Sequence, residues 1–265
     1  VSKKSRRPVV RKPIPVKTRP AEPAVSPQLR VVLDMARELP QLSGPFDAEG
    51  TVAVALTEAA AMNSTTPWGP PVPGLMTTPA EQPHDPAALT FDGRGEHGLW
   101  NSVIGHAVAT PSRRGLALLR GMATVLPDET TARAASVAAD ALVAGGLPEP
   151  SWAAALGELK PGDCWHYDAT ETGHTMVVAT YWYGDTQHAL SLLIDHMMGG
   201  VAKNLIATFE IEKLLASATL APISQDKAHE LMAQAYELTY KYPQLHVDPD
   251  VHRFRFLVHR RLNRL

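Results

Sequence analysis

Asp168, His174, Asp195, His196 and Lys203 lie in one stretch, residues 163–203, that reads DCWHYDATETGHTMVVATYWYGDTQHALSLLIDHMMGGVAK. Asp168, His174, Asp195 and His196 supply two carboxylates and two imidazoles, a ligand set for a divalent metal ion or the groups for acid–base work. Asp195-His196 is followed by Gly199-Gly200 and then by Lys203. In that order Asp195 and His196 would be catalytic groups at a rigid strand end. The glycines would let backbone N–H groups approach an anion, and Lys203 would neutralise it. No HExxH and no EF-hand pattern accompanies these residues, and the glycine pair is neither a Walker A loop nor a dinucleotide fingerprint. The plainer alternative is a glycine turn leaving a sheet, with Asp195 holding backbone amides. Cys164 and His166 share a strand side at about 7 Å, too far for the imidazole to activate the thiol, so Cys164 reads as a packed side chain. His97 and His106 are nine residues apart on a helical segment and make a poor pair.

Three strands must position the corner. Alternation places them at about Asp163–Asp168, Thr175–Tyr183 and His188–Asp195, with turns at Glu171-Thr172-Gly173 and Gly184-Asp185-Thr186. Short turns imply an antiparallel meander. The expected register pairs Trp182 with His188, Val178 with Leu192, Thr175 with Asp195 and His174 with His196, and sets Asp168 beside Thr175. Trp165, Tyr167, Met176, Val178, Trp182, Leu190, Leu192 and Ile194 then share the core face. A slip of one residue would disperse the four polar groups.

Upstream, residues 28–64 read as helical: Leu29–Leu39 as a short helix ended by Pro40, and a second helix capped by Asp47 and running to about Met62. Residues 65–94 hold Pro67, Pro70, Pro71, Pro73, Pro79, Pro83 and Pro86, a density that marks a long loop. Residues 95–147 form a helical hairpin region in which Asp128 or Thr130 can cap, and Gly145-Gly146 stops the last helix. Residues 148–265 carry the strands, an unassigned stretch at Val201–Ala207, a helix from about Thr208 to Ser217, another capped by Ser224, and a basic terminal helix. That terminal helix reads as a docked element whose arginines face solvent and favour its own dipole.

Net charge is −2, but it is unevenly spread. Residues 1–20 carry Lys3, Lys4, Arg6, Arg7, Arg11, Lys12, Lys17 and Arg19 with no acid, leaving 17 of 25 basic residues and all 27 acids in the remainder. A basic, proline-punctuated, aromatic-free start is expected to be a disordered tail, residues 1–27, suited to phosphate backbones or simply to keeping the chain soluble. No apolar run approaches the roughly 18 residues that span a bilayer, and the basic start leads into no apolar segment, so a cytoplasmic protein without membrane contact is expected. Cys164 is the only cysteine, which excludes an intrachain disulfide and a cysteine-based zinc site.

Pro148, Pro150, Trp152, Ala153, Leu156 and Gly157, followed by Leu193, Ile194, Asp195, His196, Gly199, Gly200, Ala202 and Lys203, match a "PxPxWAxxLG" block and an "LxxLIDHxxGGxAK" block. Residues 110–265 thereby resemble an uncharacterised family of actinobacterial proteins. High alanine usage and the first-position valine, a GTG start read literally, fit a high-GC bacterial gene. Family members often carry an acid after the lysine where this chain has Asn204, which weakens a carboxylate mechanism there. The resemblance transfers no activity.

The expected architecture is α+β: a helical N-terminal half, then a small antiparallel meander flanked by C-terminal helices. Three functions fit it: a non-enzymatic accessory or regulatory protein whose tail contacts nucleic acid, a metal-dependent hydrolase using the Asp/His corner, or a protein-interaction scaffold using the helical half.

Overall fold

A computed structural model describes residues 25–62, 96–216, 219–242 and 244–263. The expected tail up to residue 24 and the Pro-rich loop lie outside the described residues. The fold mixes helices with an antiparallel sheet, as the α+β expectation holds.

Helix α1 is Pro27–Met35, with Ser26 Oγ accepting from Leu29 N and proline in its first turn. A short 3-10 segment, Ala36–Gln41, follows and takes in Pro40. Helix α2 is Pro45–Ala61, entered from Gly44 with Pro45 at its start, so Asp47 lies in the first turn and is not the cap. Helices α3 (His97–Ala109), α4 (Arg113–Val125) and α5 (Glu129–Ala144) complete the upstream layer. Ser112 caps α4 and Asp128 caps α5.

The sheet holds β1 (Leu159–Ala169), β2 (His174–Tyr183), β3 (Thr186–Asp195), β4 (Val201–Thr208) and β5 (Ala221–Ile223) in the order β4-β3-β2-β1-β5. Strands β4 and β5 go beyond the three-strand expectation. The unassigned stretch at Val201–Ala207 is thus an edge strand on β3, and β5 pairs with β1 over three residues only. Helix α6 is brief, Ile211–Leu215, then α7 spans Gln225–Lys241 from its Ser224 cap. The C-terminal segment divides at Phe254 into α8 (Pro249–Arg253) and α9 (Arg255–Asn263).

The β2–β3 register is one residue from the expected one. Gly184-Asp185 forms a two-residue turn in which Gly184 takes φ +55°, so Tyr183 faces Thr186. That turn dictates Tyr181 opposite His188, Val178 opposite Ser191, Thr175 opposite Ile194 and His174 opposite Asp195. Asp168 does pair with Thr175.

The expected core face therefore mixed two faces. Leu190, Leu192 and Ile194 pack with Val177, Ala179, Tyr181 and Tyr183 in the main core, which continues without a break into α1–α5, α7 and α9. Val178 lies on the opposite face in a smaller cluster with Ala189 and Leu214, where Trp165 and Met176 are half-buried beneath α6. Sequence-adjacent Ser191 and Leu192 point to opposite faces, and both are buried because each face has a cover.

Candidate functional site

Two polar assemblies stand out, one at a sheet corner and one in the core. At the corner, β3 ends in Asp195 and turns through Gly199 and Gly200, whose φ values are +90° and +88°. Such backbone is open to glycine and strained for other residues, which is why the pair sits here. Gly200 N donates to Asp195 O at 2.8 Å and Gly199 N to His196 O at 3.1 Å, so both glycine N–H groups act within the turn. His196 N donates to Gly173 O at 2.8 Å and ties this turn to the start of β2.

Asp195 is buried, and its two oxygens do different work. Oδ1 accepts from Met198 N at 3.1 Å, while Oδ2 lies 3.7 Å from His174 Nε2. His196 Nε2 is 2.8 Å from Thr175 Oγ1. Because His174 and Thr175 are neighbours on a strand, these two imidazole contacts belong to opposite faces of the sheet end.

The structure thus brings His174 to Asp195 and His196 to Thr175. Among the described residues no three of His, Cys, Asp and Glu stand close enough together to hold a metal ion. The backbone of Asp168 pairs beside this corner, and its side chain lies outside the described residues. Lys203 Nζ donates to His246 O at 3.1 Å and approaches Met198 Sδ at 3.2 Å. Its backbone carbonyl accepts from Asp248 N, and Asn204 Nδ2 donates to Asp248 Oδ2, so this end of β4 is held by the loop before α8. Lys3, Lys4, Arg6, Arg7, Arg11 and Lys12 lie outside the described residues.

The second assembly has no counterpart in the sequence reading. Glu49 of α2 is fully buried between Arg260 and Arg261 of α9. Arg261 Nη2 donates to Glu49 Oε2 at 2.9 Å, and Arg260 Nε lies 2.6 Å from Glu49 Oε1 as an ion pair off the hydrogen-bond direction. The Tyr183 hydroxyl donates to Glu49 Oε2 and accepts from Arg261 Nη2. Arg260 also donates to the carbonyls of Thr124 and Leu156.

The Arg261 guanidinium stands over the rings of Tyr181 and Tyr183, 5.4 and 5.5 Å from their centroids. It donates to His188 Nε2, from Nη2 at 3.0 Å and Nε at 3.3 Å, so that nitrogen is an acceptor and the ring carries its proton on Nδ1. Burial and then the Arg261 charge push the His188 imidazole down to about 2. Burial raises both tyrosines, so they stay neutral donors. Tyr181 in turn contacts His229 of α7, its hydroxyl 3.2 Å from Nε2.

This corrects the reading of α9 as a helix with solvated arginines: Arg260 and Arg261 point inward. The signal was present in α2, where Glu49 stands among Ala48, Val52, Ala53 and Leu56, a carboxylate on an apolar face that must find a cation. Arg253 and Arg255 are engaged too, with Glu58 and Asp250, and with Glu96. Burial pushes the Cys164 thiol up to about 11, in keeping with a packed, unreactive side chain.

Comparison with protein-family models, curated proteins and solved structures finds no match. The actinobacterial resemblance therefore rests on the residues quoted for it. No helix among the described residues is long and apolar enough to cross a membrane.

His188 makes a pH prediction with a definite sign. Its folded pKa lies below the ordinary 6.5, so its contribution is complete above pH 6.5 and is lost as pH falls from there toward 2. One unit below 6.5 the loss is about 1.4 kcal/mol. Denaturant unfolding between pH 7.5 and 5.5 should show wild type losing more stability than His188→Gln. Equal losses would contradict this.

Proposed function

We propose that the protein is a non-enzymatic accessory or regulatory factor that contacts nucleic acid through its basic N-terminal segment. The observation that carries this reading is the charge distribution: eight basic residues and no acid in residues 1–20, against an acidic remainder. Lysines and arginines so concentrated bind phosphate backbones by releasing condensed counterions, without reading sequence. The internal engagement of the α9 arginines supports it. Arg260 and Arg261 face Glu49 in the core, which removes the rival basic element from the surface and leaves residues 1–20 as the main concentration of positive charge.

Electrophoretic shift of full-length and residue 21–265 protein on duplex DNA and on RNA, at several salt concentrations, tests the proposal. Full-length protein should bind with affinity that falls steeply with salt, and the shortened form should lose most of that affinity. Equal binding by both, or by neither, would defeat it.

A second reading, a metal-dependent hydrolase, is favoured by one observation: His174 and Asp195 face each other across the strand pair at 3.7 Å. Calorimetric titration with zinc, manganese and magnesium should then give saturable binding that Asp195→Asn and His174→Ala each abolish while still folded. Absence of binding by wild type would remove this reading.

A further inference from the structure

Among the described residues the buried cluster does not balance in charge. Glu49 is one carboxylate, Arg260 and Arg261 are two guanidinium cations, and all three are 5% exposed or less. Tyr181, Tyr183 and His188 complete the cluster as neutral groups, and Glu49 is the only carboxylate acting on Arg261 among the described residues. A surplus cation in a low-dielectric interior is unfavourable by several kcal/mol unless something negative lies against it.

Hydrogen bonding points to the same place. Arg260 donates through its two terminal nitrogens to backbone carbonyls, and its Nε, off the hydrogen-bond direction, is paired in charge with Glu49 Oε1. Arg261 uses Nε and Nη2 on His188, Glu49 and Tyr183. Its Nη1, on a side chain that is 0% exposed, has no acceptor among the described residues, and neither has His188 Nδ1. Guanidinium donors buried without an acceptor are rare, because each forfeits its hydration. The tyrosine rings flank the guanidinium and offer π-electron density, not lone pairs in the plane where Nη1 donates.

We propose that Arg261 Nη1 is the donor of a structural anion site, taking a compact monovalent anion of halide size that completes the charge balance of the Glu49–Arg260–Arg261 cluster. One negative charge meets the deficit, and complete burial selects a small ion over a bulky one. The anion would lock α9 onto α2, β2 and β3, so its effect is on stability.

Thermal unfolding of the full chain tests this, with chloride varied against gluconate at constant ionic strength. Melting temperature should rise with chloride, and bromide should substitute for it. Arg261→Gln, which removes both the surplus charge and the Nη1 donor, should melt at a temperature independent of the anion. If that variant does not fold, crystals of wild type grown in bromide decide: an anomalous peak within hydrogen-bond distance of Arg261 Nη1 supports the site. A wild-type melting temperature indifferent to chloride, or a bromide crystal with no peak there, overturns it.

Discussion

Glu49 is wholly buried, and a carboxylate in that position is tolerable only with cations and donors placed against it. Supplying them draws four elements to one point. Helix α2 contributes the acid, α9 the two arginines, β2 the Tyr183 hydroxyl and β3 the His188 acceptor. Non-directional apolar packing would let α9 slide along the surface it covers. An ion pair with named hydrogen-bond partners admits one register, and that is how a nine-residue helix at the end of the chain comes to seat itself between the upstream helices and the sheet.

The sheet is organised by this same constraint from the other side. Tyr181, Tyr183 and His188 reach Arg261 because the two-residue turn at Gly184-Asp185 puts Tyr181 directly across from His188. A register one residue away would send His188 to the face covered by α6 and leave Arg261 without its acceptor. Turn geometry and the buried charge therefore specify the same pairing independently, which is the kind of agreement between local and global preferences that gives a single native state.

Much of the architecture was legible in the residues, and the gaps have identifiable causes. Strands β1–β3 show because alternating apolar residues are bounded by glycine turns, and Asp128 and Ser224 show as caps because short oxygen-bearing side chains precede helical runs. Strand β4 hid because Lys203 and Asn204 interrupt its alternation where the loop before α8 crosses it, and β5 is too short for any pattern. The corner was legible as residue types but not as geometry. The one-residue register difference exchanged partners, so that His174 meets Asp195 and not His196. Glu49 stands in the sequence as an acid among Ala48, Val52, Ala53 and Leu56, yet its partner Arg261 is 212 residues away. No periodicity connects such a pair, and the arginines at the end of α9 could be read equally well as favouring its dipole.

The central claim is that the Glu49 carboxylate holds the helical layer and the sheet together through α9. Its most direct test is the unfolding free energy of Glu49→Gln, measured by denaturant titration beside wild type. Glutamine preserves shape and leaves two buried guanidinium groups without their counter-charge, so the account predicts a loss of about 3–5 kcal/mol. A variant within about 0.5 kcal/mol of wild type would contradict it, since that is the size of change expected of a surface substitution with no structural consequence.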